Sequence, residues 1–234
     1  MHNFRGSFLM LVVFITMLAG ITVSKPIVTG DFVSIVQKVS TSYVTILDRA
    51  NDDRVVGSGI IVTMDGRIIT AGHVYSAIEK GKIDVEFVNG KILPVVKAEI
   101  PNDLIDIAVL YVDATNLTPI TFADSNQVRQ GEWAMALGAP FGLKDTVTVG
   151  IVSATMRSIT LEDGTKYTDL IQVDTPVNPG NSGGMIVNIN GELIGMTVLR
   201  ISGDGIGFAI SSNMLRDYMW KSKLLGREID KGVN

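Results

Sequence analysis

No cysteine occurs anywhere in the chain, which excludes disulfides, thiolate metal sites and a cysteine nucleophile. Histidine is nearly as scarce: His2 and His73 are the whole supply, so a metal site built from several imidazoles is out of reach. Charge is modest. Charged residues make up 19% of the sequence and the formal net charge is −4, so no broad basic surface for nucleic acid is expected. No internal repeat and no low-complexity tract is evident. What remains is a chain of 234 residues, 46% of them hydrophobic, enough for one large domain or two small, closely packed halves.

One long hydrophobic run is present. From Gly6 to Ser24 no side chain is charged, and as a helix this stretch would span about 28 Å, close to the thickness of a bilayer core. Arg5 precedes it and favours an N-in orientation. Two readings compete over residues 1–25: a cleaved secretory signal with a weak small-residue site near Thr22 and Ser24, or an uncleaved membrane anchor. The poor cleavage site and the length favour the anchor. Under both readings the remainder of the chain lies outside the cytoplasm.

From about residue 40 the pattern turns to β-structure. Asp65-Gly66, Asn89-Gly90, Asp163-Gly164 and Asn190-Gly191 carry the dipeptides of tight hairpins, and apolar runs flank them. "IDIAVLYV" (105–112) and "EWAMALGA" (132–139) read as further buried strands. Strands this short and this closely spaced indicate barrels or a sandwich. The polar stretch 119–131 divides the chain into an N-terminal half, about 40–120, and a C-terminal half, about 130–211. Helical signal is sparse. Residues 73–80 allow one or two turns. The clear helix covers 212–225, with Ser212 or Asn213 as cap, Met214, Leu215, Tyr218 and Met219 on one side, and Gly226 as terminator before a tail, 226–234.

The stretch "VNPGNSGGMIV" (177–187) surrounds Ser182 with Pro179, Gly180, Gly183 and Gly184. A plain turn needs fewer glycines, so this backbone must bend sharply and admit a close neighbour. A serine hydroxyl is a poor nucleophile until a base takes its proton, and histidine is the natural base. His73, in "IITAGHVYSA", stands where a strand gives way to a helical turn. The imidazole in turn needs an orienting carboxylate. "NDLIDIAVLYV" offers Asp103 and Asp106. Asp106 leads directly into the apolar run and is the better buried candidate. Backbone N–H groups of Gly180 and Ser182 are placed to meet an oxyanion formed when Ser182 attacks a carbonyl. Phosphate cradling is the weaker alternative, since no lysine follows the glycines.

"TAGHV", "DIAVL" and "NPGNSGG", in that order, resemble the HtrA/Deg family of chymotrypsin-like serine proteases. The resemblance runs from about residue 30 to 222 and includes "GSGIIV" (57–62), "IQVDTPVNPGNSGG" (171–184) and "GIGFAIS" (205–211). It implies an all-β fold of two six-stranded antiparallel barrels with the site in the cleft between them, a protease domain over 26–222, and no cofactor. It implies His73 as general base and acid, Asp106 as its orienting partner, Ser182 as nucleophile, and the Gly180 and Ser182 amides as the oxyanion hole. Unfolded or misfolded polypeptides are the implied substrates, and a homotrimer held through N-terminal apolar residues such as Phe32 is the implied assembly. A silent cleft that only grasps extended chains, as a chaperone would, is the alternative function.

Several features depart from the family pattern. Relatives usually carry PDZ domains after the protease, whereas about a dozen residues follow the helix here, so no PDZ domain is expected in this chain. "DRANDDR" is short where some relatives insert a long loop, and Met185 stands where proline is common. Asn181 carries no charge to pair with a new N-terminal ammonium, so activation by zymogen cleavage is not expected. Val177, Met196, Thr197 and Val198 are the candidate pocket residues. None is acidic, which points to small aliphatic side chains before the scissile bond. The loops "FGLKDTV", "RSITLEDGTKYTD" and "ISGDGIG" are expected to switch between ordered and disordered states, by the same resemblance.

Overall fold

The computed structural model describes residues 31–100, 105–162, 164–200 and 205–221. The anchor or signal expected over 1–25, the tail expected over 226–234 and Asp103 lie outside these residues, as does most of "ISGDGIG". Among the described residues no helix is long and apolar enough to cross a membrane.

Two closed antiparallel barrels of six strands each make up the body of the protein. The first contains β1 (Tyr43–Asp48), β2 (Arg54–Ile61), β3 (Arg67–Thr70), β4 (Ile83–Phe87), β5 (Ile92–Glu99) and β6 (Ala108–Val112), in the order β1-β2-β3-β6-β5-β4. The second contains β7 (Trp133–Gly138), β8 (Thr146–Thr160), β9 (Lys166–Val173), β10 (Met185–Val187), β11 (Leu193–Arg200) and β12 (Gly207–Ser211), in the order β10-β11-β12-β9-β8-β7. Pairing of β1 with β4 closes one barrel and pairing of β10 with β7 closes the other. Closure leaves no free strand edge. The four Asx-Gly glycines expected in hairpins, Gly66, Gly90, Gly164 and Gly191, all adopt positive φ between paired strands. One continuous hydrophobic core includes fully buried Ile46, Ile60, Ile69 and Leu110 of the first barrel with Leu170, Met185 and Met196 of the second. The two halves are therefore packed as one body.

Three elements differ from the sequence expectation. Residues Phe32–Val39 form helix α1, capped by the Asp31 carboxylate, which accepts from the Ser34 N–H at 3.3 Å. Ile35 and Val39 are buried, Phe32 lies edge-on to Trp133 of the second barrel, and Lys38 donates to the Asn190 carbonyl oxygen at 2.7 Å. Second, "RSITLEDGTKYTD", expected as a polar loop, is largely the end of β8 and the start of β9 in a long hairpin. Third, the helix expected over 212–225 is α3, Ser212–Lys221, within the described residues, and its cap is Ser211, whose Oγ accepts from the Met214 N–H at 3.3 Å. Helix α2, Gly72–Ser76, follows β3 as expected.

α3 ties the two halves together. Ser212 Oγ and an Arg216 guanidinium N–H both donate to the Ala123 carbonyl oxygen, at 2.9 and 2.8 Å, and Asn213 Nδ2 donates to Asp124 at 2.6 Å. The partner residues lie on the connector between the barrels. The expected apolar side of the helix is the one that packs: Leu215, Tyr218 and Met219 are buried and Met214 lies against them.

Two measurements follow from this packing. Leu215 is fully buried, so Leu215→Ala is expected to lower the unfolding free energy by about 2–5 kcal/mol. Urea titration measures this, and a loss below about 1 kcal/mol would show that the helix is not part of the cooperative unit. The second concerns Tyr111 on β6. Burial, reinforced by neighbouring Glu99, pushes its phenol from 10.0 up to about 12. Its O–H donates to Glu99 Oε2 at 3.4 Å. The folded state keeps this proton in a window where the unfolded chain loses it. The stabilisation is thus complete below pH 10 and fades as pH rises toward about 12. The Tm of Tyr111→Phe should fall less steeply across that window than that of the parent, and equal slopes would refute the assignment.

Candidate active site

The β3–α2 junction sets the position of His73. Ala71 has extended backbone, φ −70 and ψ 140, and its carbonyl oxygen accepts from Val74 and Tyr75 N–H groups at 3.1 and 3.3 Å. The chain thus turns from strand to helix in one step, and His73 falls in the first turn. Asp106, just before β6, faces it. β3 and β6 are paired, with Thr70 opposite Ala108, so the register alone brings the two residues together.

Both carboxylate oxygens of Asp106 are engaged by His73. Oδ1 accepts from the His73 backbone N–H at 2.7 Å, and Oδ2 lies 2.7 Å from Nδ1. A carboxylate only accepts, so Nδ1 carries the proton and the neutral ring presents Nε2 as an acceptor. The side chain of Asp106 is only 10% exposed, whereas that of His73 is 49% exposed. The carboxylate is thus largely buried and fixed by its donors, and the imidazole is the more exposed partner. A third donor arrives from the other barrel: Tyr167 of β9 reaches across, and its hydroxyl donates to Asp106 Oδ2 at 3.4 Å. Gly72 allows this close approach, since a Cβ there would lie 3.0 Å from Asp106 Oδ1. His73, Ser76, Ile105, Asp106 and Tyr167 line one shared pocket.

The glycines around Ser182 have specific work. Gly180 has φ +100, and a Cβ on it would approach the Ala139 carbonyl oxygen to 2.1 Å. Gly183 has φ +82, and a Cβ there would lie 2.2 Å from the Ser58 carbonyl oxygen and 3.1 Å from the Ala71 nitrogen. Only a residue without a side chain fits either place. Turn hydrogen bonds run from the Asn181 N–H to the Asn178 carbonyl at 2.9 Å and from the Gly184 N–H to the Asn181 carbonyl at 2.8 Å. Thr197 on β11 binds the loop through its backbone, accepting from Gly183 at 2.7 Å and donating to Gly184 at 2.9 Å. The amides of Gly180 and Ser182, in contrast, meet no acceptor among the described residues. Pro179 explains the direction of one of them. Its carbonyl oxygen accepts from the Phe141 N–H at 2.8 Å, and in a planar trans peptide the Gly180 N–H must point the opposite way.

This loop lies against the histidine-bearing segment. The Ser182 carbonyl oxygen accepts from the Ser58 N–H of β2 at 2.9 Å. A Cβ on Gly57 would touch both Val74, next to His73, and the Ser182 carbonyl oxygen. Ser182 is half-buried. His73 and Asp106 are therefore joined directly, and Ser182 reaches the same junction through its backbone.

The expected pocket residues divide. Val177 is half-buried and sits against Gly207 of β12, where a Cβ would approach it to 2.4 Å. Gly207 was not anticipated as a neighbour, although "GIGFAIS" had marked its strand. Met196 belongs to the main core, paired with Met185 and Ile210, and shows no exposed surface. Thr197 and Val198 are also buried, and the recorded bonds of Thr197 to the serine loop are those of its backbone. Asn181 is buried and donates from Nδ2 to the Pro176 carbonyl oxygen at 3.2 Å, within its own loop. Tyr167, Ser58 and Phe141 enter the site with no role assigned to them from sequence, although each lies in a stretch the sequence had marked, "RSITLEDGTKYTD", "GSGIIV" and "FGLKDTV". Among the described residues no cluster of side chains is suited to a metal ion.

Comparison with known proteins agrees with this geometry. Residues 57–196 match the model of the trypsin-like peptidase domain. The chain is 42% identical over 171 residues to a probable periplasmic serine endoprotease, DegP-like, of Chlamydia trachomatis, covering 70% of this chain and 33% of the relative. It is 44% identical over 168 residues to a probable periplasmic serine protease, do/HhoA-like, of Haemophilus influenzae, covering 68% of this chain and 35% of the relative. The chain thus spans about a third of the length of these curated relatives. Among solved structures, the serine endoprotease from Yersinia pestis superposes with a TM-score of 0.68 at 34% identity, covering 84% of this chain and 68% of that one. The HtrA-type protease AlgW with a decapeptide superposes with a TM-score of 0.72 at 29% identity, covering 83% and 68%. Fold, site and relatives agree: the chain belongs to the trypsin-like peptidases, among the HtrA/Deg-type serine proteases.

Proposed function

We propose that the protein is a serine endopeptidase acting on unfolded polypeptides outside the cytoplasm, with His73, Asp106 and Ser182 as its catalytic triad. The observation that carries this reading is the double engagement of Asp106 by His73 beside a glycine-shaped loop whose two free amides flank the serine. In the proposed reaction His73 Nε2 takes the proton from Ser182 Oγ as the oxygen attacks the substrate carbonyl carbon. Asp106 stabilises the resulting imidazolium and keeps its own charge. The carbonyl oxygen gains negative charge and is met by the N–H groups of Gly180 and Ser182. Collapse of the tetrahedral intermediate breaks the C–N bond, and the imidazolium gives its proton to the leaving amine. Water then attacks the acyl-enzyme with the same base, which releases the carboxylate product and restores the serine.

Two features of the second barrel support this substrate class. Val177 and Gly207 offer an apolar wall, and no carboxylate stands among Val177, Thr197 and Val198. Met196 and Thr197 are already paired on both sides, but β11 runs past its pairing with β10, and residues 198–199 beside the serine loop are the part proposed to take an extended backbone, which unfolded chains supply. The apolar N-terminal run and the periplasmic relatives support a location outside the cytoplasm. Membrane anchoring through residues 1–25 and assembly into a homotrimer through the region of Phe32 are parts of the same proposal.

A fluorophosphonate probe should label the parent at Ser182, and Ser182→Ala should abolish both labelling and casein hydrolysis while leaving the Tm nearly unchanged. A folded but unlabelled parent would instead favour a cleft that binds without cutting. Peptide-library profiling should find cleavage after small aliphatic residues such as Val or Ala. Cleavage confined to Lys or Arg would overturn the pocket assignment.

A further inference from the structure

Ser58 makes contacts that its place in a strand does not require. Its N–H donates to the Ser182 carbonyl oxygen at 2.9 Å, its Oγ donates to the Gly180 carbonyl oxygen at 2.8 Å, and its own carbonyl oxygen accepts from Thr70 Oγ1 at 2.7 Å. One residue of the first barrel thus binds both residues of the second whose amides flank the nucleophile. The side chain is fully buried, and its oxygen lies 3.0 Å from the hydroxyl of Tyr43, itself buried on β1.

The proton order along this chain is determined. A carbonyl oxygen only accepts, so the single hydroxyl proton of Ser58 points to Gly180. Tyr43 must then donate to Ser58 Oγ. Burial pushes the Tyr43 phenol up from its ordinary value, so the proton that completes the relay stays in place across neutral pH.

Gly180 is the residue of this loop least able to hold its own conformation, because glycine populates positive and negative φ about equally. Here both flanking peptide planes are pinned. Phe141 N–H holds the Pro179 carbonyl oxygen on one side, and Ser58 Oγ holds the Gly180 carbonyl oxygen on the other. The first plane carries the Gly180 N–H itself; the second carries the Asn181 N–H, bonded to the Asn178 carbonyl oxygen, and leads on to the Ser182 amide, so pinning both fixes φ and ψ of Gly180 and with them the spacing of the two donors.

We infer that Tyr43 and Ser58 are positioning residues that set the oxyanion-binding amides of the serine loop from within the core of the opposite barrel. This rests on the protease reading above and names the device that prepares its electrostatic step. Neither hydroxyl touches substrate; each acts through the backbone of Gly180.

The test is built on Ser58→Ala. It removes the Oγ contact but keeps the Ser58 N–H bond to Ser182, so the loop stays docked. With a chromogenic peptide, kcat should fall about 10–100-fold while KM stays within about twofold, because the lost contact matters most when charge develops on the carbonyl oxygen. Affinity for a peptidyl boronic acid, whose tetrahedral adduct places an anionic oxygen at the same amides, should fall by a similar factor. Tyr43→Phe should lower kcat in the same direction by about 3–10-fold, and it carries the test if the first variant does not fold. The double variant should be no worse than Ser58→Ala, since the two hydroxyls act in series. Folded variants with parental kcat and boronate affinity would overturn the inference, as would losses that multiply in the double variant. A parent that neither hydrolyses peptides nor reacts with the fluorophosphonate would instead overturn the protease reading itself.

Discussion

The hydrogen-bonded pair of Asp106 and His73 is the constraint to which the other features of the site are fitted. A carboxylate held largely out of water just before β6 is costly unless its charge is met by donors. The chain meets it twice with one residue, through the His73 backbone N–H and through Nδ1. This explains the sharp strand-to-helix junction at Ala71, which turns the His73 amide toward the acid. It also explains Gly72, where a side chain would crowd Oδ1. The same pair leaves the other ring nitrogen as the acceptor on the solvent side. Structural need and chemical capacity are met by a single arrangement.

Around that pair the two barrels exchange contacts in both directions. Tyr167 of β9 reaches to Asp106, while Ser58 of β2 holds Gly180 and Ser182. Lys144, beyond β7, pairs with Glu86 of β4, and α3 docks on the connector at Ala123–Ser125. The shared hydrophobic core beneath makes these contacts parts of one packed unit.

Much of the fold could be read from local signals because those signals are local in origin. An Asx-Gly pair requires only that its glycine adopt positive φ, and Gly66, Gly90, Gly164 and Gly191 all do. The pairing of His73 with Asp106 and the sharp bend around Ser182 were legible because candidates were few and each sat in a recognisable frame. Helix α1 was missed because it has only eight residues, too few for Ile35 and Val39 to show a helical period, and its cap at Asp31 is a single residue. Strand β8 was obscured for a different reason: it is half-exposed, shifts register against β9 three times and contains Met156 at φ +54, so it shows no clean two-residue period. Met196 looked like a pocket residue by its place near the serine, yet the pairing of β11 with β10 and β12 sends it to the core. The roles of Tyr43, Ser58, Phe141 and Tyr167 depend on register and on contacts between distant segments. No neighbouring residue announces them.

The dependence of the serine loop on β2 has a broader meaning. Gly180 and Ser182 belong to one barrel, yet the groups that hold their carbonyl oxygens belong to the other. Prising the halves apart would therefore release the serine loop from its supports at the same moment that it separates Ser182 from His73. A chain still emerging during synthesis, with its second barrel unfinished, lacks one partner of every contact between Ser58 and the serine loop. The loop therefore acquires its shape only with the last docking step, so the architecture itself sets the order in which the site is assembled.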